Sequence, residues 1–127
     1  MSAAQPKRVC QIVKLKPEAE AEYKEVHAAV WPGVLAAIER AHIVDYSIHY
    51  YPPLHLLIAT FKYVGNDYEK DMRSMADDGD TQRWWKLTDG MQESFVEGAT
   101  GSGKEIPWWQ VLEEVFRFDG QRHQSVY

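Results

Sequence analysis

A histidine on a predicted helix is the side chain in this sequence best suited to proton transfer. Tyr23, His27 and Trp31 are spaced four residues apart, and side chains at this spacing lie on one face of a helix. Histidine is the one side chain whose ordinary pKa lies near neutral pH, so it can both accept and donate a proton. A phenol one turn away can orient the imidazole or a bound hydroxyl group. The pattern is typical of a general acid/base site.

The same spacing also has a structural interpretation. An amphipathic helix that packs Tyr23 and Trp31 into a core would place His27 among buried side chains as well. Spacing alone favours this structural interpretation, because short motifs in a single sequence are weak signals.

A pair of adjacent tryptophans forms a second candidate cluster, in the segment Gln82–Lys86 (QRWWK). Neighbouring helix positions point about 100° apart, so Trp84 and Trp85 can have different surroundings. One indole can pack inward while the other borders a cavity, where its face suits the C–H-rich side of a sugar ring. Tryptophan is more often a core or interface anchor. Both interpretations stay open at this point.

The first half of the chain predicts a strand followed by an interrupted helix. Residues Arg8–Leu15 (RVCQIVKL) are rich in β-branched side chains and predict a strand. Pro17 suits the first turn of a helix, which we expect to run to about Ala29. Pro32 disfavours helical geometry in the residue before it, so we expect a kink or restart there.

A hairpin is predicted next. Residues Ile43–Tyr50 alternate, and Leu54–Tyr63 (LHLLIATFKY) form a second strand after Pro52 and Pro53. One face of the first strand is expected to carry four apolar or aromatic side chains, Val44, Tyr46, Ile48 and Tyr50.

The second half of the chain completes the pattern. Residues Asn66–Ala76 and Asp80–Met91 predict helices, with Asp80 as the N-cap of the latter. Ser94–Pro107 predicts a flexible glycine-containing loop. Gln110–Phe118 (QVLEEVFRF) predicts a last strand, although its paired glutamates also permit a helix. The order strand–helix–strand–strand–helix–strand is the split βαβ pattern of a ferredoxin-like α+β domain. Such a domain leaves one sheet face open, and dimerisation is one common way to cover it.

Composition limits the function classes. The 127 residues suffice for one domain, which we place over the whole chain with a core at residues 8–118 and loose ends at 1–7 and 120–127. The net charge of −5, with no basic block longer than Lys7-Arg8, argues against nucleic-acid binding. No apolar stretch is long enough to span a membrane, and residues Met1–Arg8 lack the apolar core of a signal peptide. The single cysteine, Cys10, favours a cytoplasmic location.

The sequence predicts neither a cofactor nor a metal. Residues Gly98–Lys104 (GATGSGK) approach a phosphate-binding loop, but Glu105 stands where a Ser or Thr is needed and Pro107 disfavours a following helix. The histidines have no metal-ligand spacing.

Taken together, the motifs resemble the L-rhamnose mutarotase family. The resemblance covers Arg8 to Phe118, and its two paired motifs, Y-x-x-x-H-x-x-x-W-P and R-W-W, are specific in combination. It rests on four segments in the family's order, EYKEVHAAVWPGV (Glu22–Val34), DYSIHY (Asp45–Tyr50), QRWWKLTDGM (Gln82–Met91) and LEEVFRF (Leu112–Phe118).

This resemblance implies a ferredoxin-like homodimer of the dimeric α/β-barrel type. It also implies an enzyme that interconverts the α and β anomers of a deoxyhexose such as L-rhamnose without metal or cofactor. The family's general acid/base histidine falls on His27. Its substrate-binding tyrosines fall on Tyr23 and Tyr46, and its tryptophan pair falls on Trp84 and Trp85.

Two departures from the family pattern leave the sugar open. The 93–109 segment (Glu93–Trp109) is longer than in the compact bacterial members, and His49 stands where an aromatic residue is common. Two other functions remain as alternatives. One is a non-enzymatic dimeric ligand-binding module, and the other is a cofactor-independent monooxygenase with a flat aromatic substrate beside the tryptophan pair.

Overall fold

An antiparallel sheet is the central element of the computed structural model, which describes residues 7–120. Three long strands, β1 (Lys7–Leu15), β2 (Ile43–Tyr51) and β3 (Leu56–Tyr63), are joined by the short strands β4 (Gln92–Glu93) and β5 (Gln110–Val111). The sheet order is β2-β3-β1-β4, with β5 also paired to β1. This is the order of a ferredoxin-like α+β domain, which confirms the predicted fold class. The predicted loose ends span residues 1–7 and 120–127; of these, Lys7 belongs to β1, and residues 1–6 and 121–127 lie outside the described residues.

Within residues 7–120, four α-helices accompany the sheet, namely α1 (Glu20–His27), α2 (Pro32–Arg40), α3 (Tyr68–Ala76) and α4 (Gly79–Asp89). The predicted restart between the first two helices is confirmed. Trp31 has extended backbone geometry with ψ of 136°, and α2 begins at the next residue. A proline disfavours helical geometry in the residue before it, so the chain turns there. The turn leaves His27 at the end of one helix and Trp31 at the start of the next.

Several predicted boundaries shift by about two residues, and two of the differences bear on the site. Asp78, rather than Asp80, caps α4, because its side chain accepts a hydrogen bond of 2.9 Å from the Thr81 N–H. The last strand is much shorter than Gln110–Phe118. After Gln110–Val111, the Leu112 N–H donates to the Cys10 carbonyl, and residues 113–120 then form no regular structure. A segment with alternating side chains forms a strand only where its backbone can pair with the edge of a sheet.

The core lies between the helices and one face of the sheet. Alternate residues of β3 are buried, and those between them are only partly buried. The side chains of the opposite sheet face are all partly or fully exposed, among them Ile12 and Ile58. Among the described residues, no helix is long and apolar enough to cross a membrane.

A β-bulge interrupts β2 between Val44 and Ser47. Two residues, Asp45 and Tyr46, there stand opposite the single residue Phe61. Asp45 has a φ of 53°, in the left-handed region that aspartate tolerates better than most residues. A left-handed first residue is one of the known forms of bulge.

The bulge changes which side chains of β2 face the helices. Val44 lies on the open face and is 44% exposed, so the prediction that it shares a face with Tyr46 is wrong. Tyr46 faces the core, where its ring stacks on Phe61 at 5.4 Å between centroids. Ile48 and Tyr50 pack against the core on the same side, as predicted. The extra residue reverses the alternation, and simple periodicity does not reveal it.

Candidate active site

His27 lies at the C-terminal end of α1 and is half-buried. Its Nδ1 is 2.8 Å from the carbonyl oxygen of Tyr23, one turn earlier. A carbonyl oxygen only accepts hydrogen bonds, so Nδ1 must carry the proton. In the neutral ring, Nε2 therefore holds the lone pair. Burial lowers the pKa of His27, although the bond to the carbonyl acts in the opposite direction. The ring is thus a neutral base at neutral pH.

Aromatic rings enclose this imidazole. The ring of Tyr23 stacks on His27 with centroids 4.1 Å apart, and the edge of Trp84 meets His27 at 5.1 Å. The ring of Trp31 also contacts Trp84, with 5.1 Å between the two centroids. The structure therefore brings the first predicted cluster together with one residue of the tryptophan pair. Packing by rings rather than water explains why the charged form of His27 is disfavoured.

The hydroxyl of Tyr23 is buried and hydrogen-bonded. It accepts a bond of 3.1 Å from Nε2 of Gln92, whose Oε1 accepts a bond of 2.9 Å from Nε1 of Trp108. Burial raises the pKa of Tyr23 well above its ordinary value, so the phenol keeps its proton. Sequence reasoning missed Gln92, because it lies 69 residues from Tyr23 and no local pattern joins them.

The five residues assigned from the family resemblance border two cavities rather than one. A cavity of about 350 Å³, the His27 cavity, is lined by Tyr23 and His27 together with Leu15, Lys24, Ala28, Ile48, His49, Tyr50 and Leu57. A second cavity of about 330 Å³, the tryptophan cavity, includes Tyr46, Trp84 and Trp85 in its lining. Because Trp84 touches His27, the aromatic stack lies at the boundary between the two cavities.

The tryptophan cavity combines one buried and one half-buried indole. Trp84 is 7% exposed, whereas Trp85 keeps a larger exposed surface. The predicted difference between the two side chains is therefore present, although both line the cavity. The bulge directs Tyr46 into the same cavity, and burial raises the pKa of Tyr46 to about 12 even though part of the ring remains exposed.

The 93–109 segment forms a wall of the tryptophan cavity. It contributes six lining residues, Ser102, Gly103, Lys104, Pro107, Trp108 and Trp109. The segment is irregular, as predicted, and it is fastened to the end of α4. The carboxylate of Asp89 accepts bonds of 2.7 Å from both the N–H and the hydroxyl of Ser102. The hydroxyl of Ser94 donates to the Trp108 carbonyl and closes the base of the loop.

Gly103 fits this wall because it has no side chain. Its φ is 76°, and a Cβ atom added there would stand 2.7 Å from the Trp85 ring. The backbone therefore lies directly on the indole. The phosphate-loop interpretation of Gly98–Lys104 finds no support, since irregular chain rather than a helix follows. Across residues 7–120, no group of three or more His, Cys, Asp or Glu side chains is placed to hold a metal ion.

These features define a ferredoxin-like α+β protein with a histidine held among aromatic rings beside two cavities. The chain belongs to the L-rhamnose mutarotase family, because the family model of that description matches residues 8–118. An L-rhamnose mutarotase of Bacteroides thetaiotaomicron is 34% identical over 108 residues, which cover 83% of this chain and 91% of the relative. One from Phocaeicola vulgatus is 32% identical over 105 residues, with the same two shares of the chains covered.

A solved structure supports the fold independently. The crystal structure of an L-rhamnose mutarotase from Formosa agariphila matches with a TM-score of 0.66 and covers 89% of this chain and 99% of its own. The two sequences are 23% identical, so this likeness speaks to the fold.

Proposed function

We propose that this protein is a mutarotase that interconverts the α and β anomers of L-rhamnose, with His27 as its acid/base group. One observation carries the proposal beyond family membership. The hydrogen bond to the Tyr23 carbonyl fixes the proton of His27 on Nδ1 and leaves Nε2 able to accept a proton.

The reaction needs one mobile proton and no redox change. A base removes the proton of the anomeric hydroxyl, the bond between C1 and the ring oxygen breaks, and the ring oxygen takes up a proton. The open-chain aldehyde then rotates about its C1–C2 bond, and the same steps in reverse close the other anomer. A positioned acid/base group accelerates such steps about 10²–10⁴-fold. That gain is useful here, because uncatalysed mutarotation is not very slow.

The surrounding side chains suit substrate binding. Tyr23 and Tyr46 keep their protons, since burial raises the pKa of both phenols. They can therefore bind sugar hydroxyl groups without competing for the transferred proton. The faces of Trp84 and Trp85 offer apolar platforms for the C–H-rich side of the ring, and the contact between Trp84 and His27 puts such a platform next to the base.

The test is anomer exchange measured by saturation-transfer NMR on equilibrium mixtures of L-rhamnose, L-fucose and D-galactose. The protein should accelerate exchange of L-rhamnose, and the His27→Ala variant should lose most of that acceleration with its circular dichroism unchanged. His42→Asn is the control, because His42 lines neither cavity and asparagine tolerates its φ of 62°. Near wild-type exchange in a folded His27→Ala variant would overturn the assignment.

A homodimer is the second part of the proposal. The open sheet face combines apolar side chains with the cations Arg8, Lys14 and Lys62. The C-terminal arm (residues 113–118) carries Glu113, Glu114 and Arg117 together with strongly exposed apolar side chains. Apolar surface of this kind marks an interaction site in a soluble protein. A second copy of this chain, whose exposed apolar arm would cover the apolar part of the sheet face, fits both surfaces. The single cysteine favours a cytoplasmic setting for this enzyme.

The two alternatives are weaker. A cofactor-independent monooxygenase needs a cavity for a flat aromatic substrate, which the tryptophan cavity could supply, and a binding module needs no acid/base group. Membership of the L-rhamnose mutarotase family favours the mutarotase. Absence of accelerated exchange with all three sugars would favour either alternative instead.

A further inference from the structure

We propose that Gln92 is a positioning residue for this reaction, which directs the hydroxyl proton of Tyr23 away from Gln92 and links the Tyr23 hydroxyl to Trp108 of the 93–109 segment. The role rests on the proposed mutarotase function. Gln92 is 3% exposed and lies on β4, so its side-chain amide is removed from water. Both ends of that amide are hydrogen-bonded, one to each of the two aromatic side chains.

The partners fix the direction of both bonds. The indole Nε1–H of Trp108 can only donate, so the atom of Gln92 that faces it must be the carbonyl oxygen. The other end of the amide is then the NH₂ group, which can only donate. It follows that the Tyr23 oxygen accepts this bond. The hydroxyl proton of Tyr23 is therefore not accepted by Gln92, which leaves it available to a sugar oxygen in the His27 cavity that Tyr23 lines.

This arrangement acts on the base through the ring of Tyr23. That ring stacks on His27, and its residue also supplies the carbonyl that holds Nδ1. A hydroxyl held from the β4 side limits the tilt of the ring and so the position of the imidazole. Gln92 therefore helps to orient both the base, His27, and the sugar-binding phenol, Tyr23, while itself lining neither cavity.

The 93–109 segment holds Trp108, the second hydrogen-bond partner of Gln92. The Ser94 hydroxyl bonds the Trp108 carbonyl at 2.5 Å, and Ser102 is bound to Asp89 at the end of α4. Trp108 also packs against the core cluster that contains Tyr23. The segment is thus part of the support for His27 and Tyr23, in addition to forming a wall of the tryptophan cavity.

The decisive variant is Gln92→Glu, because it keeps the size of the side chain and reverses one hydrogen bond. A carboxylate accepts from both Trp108 and Tyr23, so the link between them stays and the Tyr23 proton is captured. We expect kcat for L-rhamnose exchange to fall by about ten-fold or more while KM changes less. Gln110→Glu is the matched control, since Gln110 is exposed, and it should exchange like the wild type.

A spectroscopic measurement separates positioning from simple support of the fold. The indole N–H resonance of Trp108, assigned by its loss in Trp108→Phe, reports the bond to residue 92. It should keep its downfield position in Gln92→Glu and move upfield in Gln92→Leu, which removes both bonds. Both variants should lose exchange. A loss in Gln92→Glu while the bond to Trp108 is retained would tie that loss to the direction of the bond to Tyr23.

Exchange at the wild-type rate in a folded Gln92→Glu variant would overturn the positioning role alone and leave the mutarotase function standing. Absence of exchange in the wild type would overturn both. An unchanged Trp108 resonance in Gln92→Leu would show that the hydrogen bond itself is wrong, whatever the activity.

Discussion

Trp84 lies between His27 and Trp31, with its ring centroid 5.1 Å from each. One side chain therefore packs against the candidate base and also against Trp31, the residue just before α2. The same indole borders the tryptophan cavity. Loss of Trp84 should affect stability as well as catalysis, whereas loss of Trp85 should mainly affect sugar binding.

Substitution of the two tryptophans tests this difference. Trp84→Ala removes a buried side chain, so we expect a loss of about 3–5 kcal/mol in the free energy of unfolding and a much lower melting temperature. Trp85→Ala should mainly weaken sugar binding, by the several-fold that corresponds to an aromatic platform of about 1 kcal/mol. Thermal melts and exchange rates on the two variants measure both effects. If both variants only melt early and still exchange anomers normally while folded, the platform role is wrong.

The pH dependence of exchange tests the state of His27. Burial lowers the pKa of His27 from its ordinary value of 6.5. The neutral form therefore persists into mildly acidic solution, and the midpoint of the fall in rate should lie below pH 6.5. Below the lowered pKa, Nε2 carries a proton and cannot accept another. Initial exchange rates across this range, corrected for buffer catalysis, give the profile. A rate that rises as the solution becomes more acidic would contradict the role of His27 as a base.

The left-handed backbone of Asp45 makes the bulge sensitive to residue type. Asp45→Val should destabilise the protein by about 1–2 kcal/mol, because a β-branched residue fits this conformation poorly. Asp45→Gly should be close to neutral or stabilising, since glycine adopts positive φ without strain. Asp45→Asn is the control for charge, because the carboxylate lies 3.6 Å from Lys62 in an exposed pair of little energetic value. Urea unfolding measures all three, and equal stability of the valine and glycine variants would contradict the account.

Sedimentation tests the homodimer. The wild type should sediment at twice the monomer mass at micromolar concentration, and a wild type found only as monomer would refute the proposal. The double variant Val115→Asp/Phe116→Asp should shift it toward monomer, because these side chains are 90% and 83% exposed and would meet the second copy. Leu35→Asp is a matched control, since Leu35 is also an exposed apolar residue but lies on α2.

The parts of the site that follow local rules could be predicted from the sequence. The spacing of Tyr23 and His27 within one helix is sufficient to stack them, and Pro32 is sufficient to place Trp31 at a break. The hydrogen bond between Tyr23 and Gln92 could not be predicted. It joins distant parts of the chain, and Gln92 lies on β4, a strand of only two residues that no local pattern indicates. The 113–118 arm shows the same limit. Its alternation resembles that of a strand, and the pairing partner that decides its structure is not specified locally.

The bulge in β2 also means that this strand contains one residue more than its pairing needs. With Asp45 deleted, Ile43, Tyr46 and Ile48 would follow each other in strict alternation, still directed toward the helices. Val44 and Ser47 would remain on the open face. The position of Tyr46 in the wall of the candidate active site should therefore not change when the chain is one residue shorter at this point. A chain shortened by this residue would keep Tyr46 in the same place, with a flatter strand and less twist at its edge.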